Sequence, residues 1–124
     1  MKGAFLGPEF FESDIATLAK KYKASYQLFT DFDALCGNVS QLLVDGNAVG
    51  WFQGRMEYGP RSLGNRSILG DARNPEMQKK MNLKIKYREG FRPFAPSVLS
   101  EEIETYFELD RPSQYMLLVT PVLE

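Results

Sequence analysis

The sequence contains no histidine and a single cysteine, Cys36. The lack of histidine excludes a histidine-based catalytic triad and removes the commonest side-chain ligand for transition metals. One cysteine excludes an internal disulfide, which favours a reducing compartment, and we therefore expect a cytoplasmic protein. There is also no run of about 18 apolar residues, the length at which a stretch becomes a candidate membrane span. The composition thus predicts neither a metal site nor a disulfide framework nor a membrane anchor in this chain.

The 124 residues are 44% hydrophobic and 13% aromatic, which is sufficient for a packed core. We expect one domain over residues 1–124, or part of one. Apolar residues recur with helical spacing from about Ser13 to Lys23 and from Asp31 to Asp45, with Ser13 or Asp14 as the first N-cap. Gly46 is predicted as the C-cap of the second helix. The residues predicted to face inward on that second helix are Leu35, Val39, Leu42 and Leu43.

Short apolar stretches predict strands at "GAFLGPEF", "SYQLFT", "AVGWFQG" and "YMLLVTPV". Asn74 and Pro75 predict a further helix start, with Met77 and Met81 on its core face. The stretch "LKIKYR" fits either a strand or a helix end. The prolines of "FRPFAPSVL" predict an extended segment, and a short helix is expected over Ser100 to about Leu109. The mixture of helices and strands indicates an α/β or α+β protein.

The net charge of −1 conceals a strongly basic central block. From Arg55 to Arg92 there are ten basic residues and four acidic ones, a local charge of +6, so the rest of the chain carries −7. A chain that is acidic outside this block is not a general binder of nucleic acid or anionic membrane. The asymmetry instead predicts a local site for an anion.

The segment "GRMEYGPRSLGNRS", residues 54–67, has three glycines and three arginines directly after the strand "AVGWFQG". A guanidinium group grips phosphate or carboxylate through two parallel hydrogen bonds, and glycines let backbone N–H groups approach an anion. The spacing matches neither a P-loop nor a dinucleotide fingerprint. The segment is therefore either a surface turn with solvated arginines or an anion site. A second segment, "KIKYREGFRPFAPS", repeats the mixture of cations, aromatics and prolines, which favours the anion site.

The stretches "GWFQGRMEYGPRSLGNRSIL" and "NLKIKYREGFRPFAPSV" resemble the C-terminal domain of the O-carbamoyltransferases, a family that includes nodulation-protein and antibiotic-biosynthesis carbamoyltransferases. The resemblance extends from "FLGPEF" to "YMLLVTPV" and is most specific between Gly50 and Val98. It implies a YrdC-like fold, a twisted mixed sheet with helices. It also implies that the full-length enzyme has a larger Kae1-like N-terminal domain, which holds a metal and transfers the carbamoyl group to a hydroxyl acceptor.

The resemblance further implies that this domain binds carbamoyl phosphate and ATP, with Mg²⁺, and forms carbamoyl-adenylate with loss of phosphate and pyrophosphate. It places Arg61, Lys86 and Arg92 on the anions as catalytic residues, where three cations stabilise the developing charge. We expect their charged groups to meet in one pocket. The additional residues expected to bind substrate or nucleotide are Arg55, Glu57, Gly59, Gly64, Arg66, Ser67 and Arg88. Among these, Glu57 is expected to orient an arginine.

The chain lacks the later part of the family pattern, a His-Val-Asp-Gly type motif followed by an Asn-rich loop, and it lacks the N-terminal transfer domain. We therefore expect a YrdC-like domain cut at its C-terminus that does not complete carbamoyl transfer alone. The metal of the transfer site is expected in the missing domain.

Two alternatives remain open at this stage. The basic block interleaved with Tyr58, Tyr87 and Phe91 fits a nucleic-acid-binding module. The second alternative is a non-catalytic interaction domain. In it, an exposed edge strand over Gln114 to Val122 pairs two copies of the chain.

Overall fold

The computed structural model describes residues 3–123, and its helices and strands confirm the α+β class. Two helices, α1 (Glu12–Tyr22) and α2 (Phe32–Val44), precede strands β1 (Val49–Phe52) and β2 (Arg66–Leu69). Helix α3 (Met77–Lys80) continues as a π-helical turn, Met81–Ile85, and a 3₁₀ turn, Ser100–Glu102, leads into helix α4 (Ile103–Tyr106). The chain divides into two compact units, Met1–Met77 and Gln78–Glu124.

Helix α1 confirms the first predicted helix, but its start differs from the prediction. The N-cap is Phe11, not Ser13 or Asp14, because the Asp14 carboxylate accepts the backbone N–H of Phe11 at 2.9 Å. Lys20 and Lys21 lie in the last turn, where positive charge complements the helix dipole. Lys23 ends the helix in the left-handed conformation, with φ of 50°.

Helix α2 confirms the second predicted helix, but its C-cap is Asp45, one residue before the predicted Gly46. The Asp31 carboxylate accepts the backbone N–H of Asp33 at 3.0 Å, and Gly46 follows the helix with φ of +80°. Three of the four residues expected to face inward are half-buried, namely Leu35, Val39 and Leu43. The prediction is wrong for Leu42, whose side chain is 41% exposed.

Strands β1 and β2 form an antiparallel hairpin, with Val49 opposite Leu69 and Phe52 opposite Arg66. Strand β1 confirms the strand expected at "AVGWFQG", whereas β2 was not predicted, because Arg66 and Ser67 belong to the segment that was interpreted as a loop. The hairpin packs on α2 through an edge-to-face contact between Trp51 and Phe32, whose ring centroids lie 6.5 Å apart. The arginine-rich segment is therefore the long connection of a hairpin.

The strands expected at "GAFLGPEF", "SYQLFT" and "YMLLVTPV" are wrong, because these stretches are irregular in the structure. The first of them still pairs locally through its backbone. The Gly7 N–H donates to the Met56 carbonyl at 2.9 Å, and the Met56 N–H donates to the Pro8 carbonyl at 2.9 Å. In the last of them, a single bridge joins Phe107 and Val122. Dimerisation through that edge stays a prediction.

The ambiguous stretch "LKIKYR" is resolved in favour of the helix end, since the π-helical turn runs to Ile85. Met77 and Met81 are each 4% exposed, which confirms both as core residues. The short helix expected after Ser100 is present and ends at Tyr106, short of the predicted Leu109.

In the part of the chain that the structure describes, no helix has the length and apolar character needed to cross a bilayer.

Candidate functional site

The connection between β1 and β2 is organised around one buried carboxylate, that of Glu57. The residue is 3% exposed and lies inside its own loop. Its Oε1 accepts the backbone N–H groups of Leu63 at 2.6 Å and of Asn65 at 2.8 Å. Its Oε2 accepts Nε of Arg66 at 3.2 Å. The glycine-rich loop thus does form a backbone nest for an anion, and the anion in it is a carboxylate of the same chain.

Further hydrogen bonds close the loop at its base. Arg66 donates through Nη2 to the Gly59 carbonyl at 2.7 Å, and Ser62 donates its hydroxyl to the Arg66 carbonyl at 2.6 Å. The Gly64 N–H donates to the Ser67 hydroxyl oxygen at 3.2 Å. Gly59 and Gly64 have φ of 122° and 116°, a region that other residues rarely adopt, so both turns require glycine. The segment is therefore a fixed structure and not a loose surface turn.

The pKa of the Glu57 carboxyl reflects this environment. Burial raises the pKa of the carboxyl. The hydrogen bonds from the backbone N–H groups of Leu63 and Asn65 lower it, and their combined effect outweighs that of burial, so the pKa lies below the ordinary value of 4.5. A group whose pKa is lowered on folding stabilises the folded chain above its unfolded pKa. That contribution disappears as the pH falls through the folded pKa.

We accordingly expect the stability difference between the wild type and Glu57→Gln to depend on pH. The difference should be constant above about pH 5 and should shrink as the pH falls below about 4.5, because protonated Glu57 resembles glutamine. Urea unfolding at several pH values, followed by the fluorescence of the single tryptophan, Trp51, measures it. A difference that does not change down to pH 3 would contradict the role assigned to the ionised carboxylate.

Arg61 stands apart from the other arginines. Its side chain is exposed and makes no hydrogen bond, ion pair or ring contact with any residue between 3 and 123. Each of the six other arginines donates to an acceptor in the chain. These pairs are Arg55 with Glu9, Arg66 with Glu57, Arg73 with Asp71, Arg88 with Asn82, Arg92 with Glu89, and Arg111 with Asp110.

The second basic segment, in the unit Gln78–Glu124, is organised around Asn82, which is fully buried. Its Nδ2 donates to the carbonyls of Gly90 at 3.2 Å and Arg92 at 2.8 Å, and its Oδ1 accepts Nε of Arg88 at 2.7 Å. Gln78, one helical turn earlier, also donates to the Arg92 carbonyl, at 3.1 Å. The loop over residues 86–92 is thereby tied to the helix before it.

Lys86 and Arg92, two cations of this segment, differ in whether they have a partner in the chain. Lys86 is exposed, and its ammonium group has no partner within the described stretch 3–123. Arg92 donates through Nε to Glu89 at 2.8 Å, and both side chains are about half exposed. Tyr87 is 86% exposed and has φ of 49°, an uncommon conformation for a residue with a side chain. Phe91 is likewise exposed, so the two aromatic rings flank the cations at the surface.

The predicted site residues fall into two groups. Those of the unit Met1–Met77 lie on or beside one hairpin loop, and they are Arg55, Glu57, Gly59, Arg61, Gly64, Arg66 and Ser67. Those of the second unit are Lys86, Arg88 and Arg92. Their convergence in one pocket, and the nucleic-acid alternative, stay predictions. Across residues 3–123, no three Cys, Asp or Glu side chains cluster so as to hold a metal ion.

Sequence reasoning missed the two features that shape these loops. Leu63 and Asn65 act through backbone N–H groups, which no residue type reveals. Asn82 did carry a signal, since it is a polar residue between the apolar Met81 and Leu83 and lies one helical turn after Gln78.

Comparison with known proteins adds an independent observation. A family model described as "Carbamoyltransferase C-terminus" matches residues 40–124. An uncharacterised protein of Synechocystis is 59% identical over the whole chain, which covers 20% of that protein. Nodulation protein NolNO of Sinorhizobium fredii is 46% identical over 74% of the chain, or 14% of its own length. A 3'-hydroxymethylcephem-O-carbamoyltransferase of Streptomyces clavuligerus is 40% identical over 69% of the chain, or 16% of its own length. The chain thus spans about a fifth or less of these relatives.

Proposed function

The chain belongs to the family of the carbamoyltransferase C-terminus, and from that premise we propose that it binds carbamoyl phosphate and ATP for an O-carbamoyltransferase. In this proposal the chain supports formation of carbamoyl-adenylate, with loss of phosphate and pyrophosphate. Because the relatives are about five times longer, transfer to a hydroxyl acceptor is assigned to the longer protein and its N-terminal part. The name of the Streptomyces clavuligerus relative, an O-carbamoyltransferase, supports the reaction class.

The observation that carries the proposal is the guanidinium of Arg61, which is unpartnered within residues 3–123, on a loop that the hydrogen bonds of Glu57, Ser62 and Arg66 fix in shape. A rigid loop with one unpartnered arginine is preorganised for an anionic ligand, since little conformational entropy is lost on binding. Arginine presents a planar fork that matches the oxygens of phosphate. We assign Arg61 to a phosphate group of carbamoyl phosphate or ATP.

Lys86 and Arg92 are assigned to the anions for different physical reasons. The Lys86 ammonium has no partner to give up and acts as a point charge. Arg92 must exchange the Glu89 carboxylate for the ligand. That exchange costs little, because an exposed ion pair contributes only about 0–1 kcal/mol.

The remaining predicted residues take supporting roles in the proposal. Arg55 donates to the Gly7 carbonyl and to Glu9, so it fixes the start of the loop. Ser67 uses its oxygen as an acceptor for the Gly64 N–H, which leaves its hydroxyl proton for an anion. Glu57 and Arg66 hold the loop in shape and do not touch the ligand.

Calorimetric titration of the 124-residue chain with carbamoyl phosphate, and with ATP and Mg²⁺, tests this function. We expect both to bind, and Lys86→Ala and Arg92→Ala to weaken binding by about tenfold each, the usual value of a charge-assisted contact. Lys79→Ala is the matched control, because Lys79 is an exposed lysine on α3. Absence of binding of either ligand by the wild type would refute the proposal. An equal loss in Lys79→Ala would show that only the general positive charge matters.

A further inference from the structure

We infer that Asn82 is a positioning residue that holds the Arg88 guanidinium in place with its terminal nitrogens free for an anion. The inference rests on the proposed function, because the anion in question is a phosphate group of ATP or carbamoyl phosphate. It adds Asn82 to the site and gives Arg88 the main role among the arginines of the second basic segment, ahead of Arg92.

Both polar atoms of the Asn82 side chain form hydrogen bonds. It is the one fully buried large side chain within residues 3–123, and its two donor contacts and one acceptor contact reach three different residues of the following loop. A buried amide keeps its place only if its hydrogen bonds are made, so the amide and the loop fix each other. No apolar residue of the same size meets this requirement, because the Gly90 carbonyl would lose the Asn82 donor and the Arg92 carbonyl would keep only Gln78.

The backbone around Asn82 is also unusual. The residue lies in the π-helical turn Met81–Ile85, which closes with a hydrogen bond from the Lys86 N–H to the Met81 carbonyl at 2.9 Å. Such wider turns occur frequently at functional sites. The Arg88 backbone N–H then donates to the Asn82 carbonyl at 3.0 Å, so Asn82 binds Arg88 through both its main chain and its side chain.

Arg88 is held at two points and open at a third. Its Nε donates to Asn82 at 2.7 Å, and the central carbon of its guanidinium lies 4.9 Å from the centroid of the Phe94 ring. These contacts fix the direction of the guanidinium plane. Both terminal nitrogens lack a partner among residues 3–123, and together they form the end-on fork that receives two oxygens of a phosphate.

Arg92 lacks this arrangement. Within residues 3–123 its guanidinium donates only to the carboxylate of Glu89, three residues away, and both side chains are about half exposed. The Arg92 guanidinium is therefore already paired with a carboxylate, and no other side chain within residues 3–123 hydrogen-bonds to it. The charge of Glu89 acts on both arginines, but only Arg92 is hydrogen-bonded to it. An arriving anion therefore meets in Arg88 an oriented guanidinium whose terminal nitrogens make no hydrogen bond within residues 3–123, and in Arg92 one that must first leave Glu89.

A double-mutant cycle tests the inference on the 124-residue chain. We expect Asn82→Ala to weaken binding of ATP and Mg²⁺ by at least about tenfold, and Arg88→Ala to do the same. If Asn82 acts through Arg88, the double variant binds no more weakly than Arg88→Ala alone. Asn38→Ala, which removes an exposed asparagine from α2, is the matched control and should bind as the wild type does. Full additivity of the two substitutions would overturn the inference.

A second measurement needs no folded Asn82 variant. Solvent exchange of the arginine Nε–H protons, measured by nuclear magnetic resonance on the wild type, should be much slower for Arg88 than for the unpartnered Arg61. Equal exchange for the two arginines would overturn the positioning role. If the wild type binds neither ATP nor carbamoyl phosphate, the proposed function fails, and the exchange rates still decide whether Asn82 holds Arg88.

Discussion

Replacement of Glu57 by alanine is expected to destabilise the folded chain by about 3 kcal/mol. The substitution removes the acceptor for the backbone N–H groups of Leu63 and Asn65, and it leaves the Arg66 guanidinium without its counterion. Loss of the buried carboxylate costs more than the ion pair itself contributes, because the half-buried Leu63 and Asn65 and the Arg66 side chain, which is 32% exposed, all lose their acceptor. Urea unfolding followed by Trp51 fluorescence measures the change, since Trp51 lies on the strand that leads into the loop.

Two further variants separate this effect from a general loss of negative charge. Glu57→Gln keeps the shape of the side chain but replaces one acceptor oxygen by a donor, and it should cost about 2 kcal/mol. Glu9→Gln breaks the exposed ion pair with Arg55 and should cost less than about 0.5 kcal/mol. If Glu57→Ala and Glu9→Gln were equally stable, the carboxylate would not be the centre of the loop.

Replacement of Arg61 by alanine is expected to weaken ligand binding strongly and to leave the stability of the fold almost unchanged, whereas replacement of Glu57 acts on stability. The guanidinium makes no hydrogen bond, ion pair or ring contact with residues 3–123, so the free energy of unfolding should change by less than about 0.5 kcal/mol. Affinity for carbamoyl phosphate or for ATP with Mg²⁺ should fall by about ten- to a hundredfold, the value of one to two charge-assisted hydrogen bonds. Calorimetry and urea unfolding on the same samples measure both quantities.

Two control variants separate the hydrogen-bonding geometry of Arg61 from its positive charge. Arg61→Lys retains the charge but loses the fork, so it should recover only part of the affinity. Arg111→Ala removes an arginine that is paired with Asp110 outside both basic segments, and it should leave the affinity unchanged. Unaltered binding by Arg61→Ala would remove Arg61 from the site. A loss in stability equal to that of Glu57→Ala would show that Arg61 belongs to the framework.

The helices and the strands differed in how far the sequence predicted them. Helices α1 and α2 follow from local signals, namely the periodic apolar residues, the Asp31 cap and the glycine at position 46. A strand depends in addition on a neighbour that accepts its backbone hydrogen bonds, and apolar alternation says nothing about such a neighbour. For this reason the strands predicted at "SYQLFT" and "YMLLVTPV" are wrong. Conversely, the strand Arg66–Leu69 was not predicted, although β1 provides its pairing partner.

The candidate site shows the same division. The mixture of glycine and arginine indicated an anion-binding loop, and the loop indeed holds an anion in its backbone nest. That the anion is Glu57 could not be predicted, because its acceptor contacts are to backbone N–H groups at positions 63 and 65, whose direction only the folded loop defines. Likewise, residue type alone could not distinguish Arg61 from its paired neighbours, since all are arginines in the same basic block.

The bonding of Glu57 within its own loop also has a consequence for protein engineering. Surface loops ordinarily tolerate added or deleted residues. Here the carboxylate at position 57 and its donors at positions 63, 65 and 66 are connected by a single stretch of chain, so a change of length between positions 57 and 63 displaces all three donors at once. Libraries built on this chain should therefore vary the side chain at position 61 but keep the length of residues 57–67. The irregular and exposed residues 25–28 are the better place for an insertion.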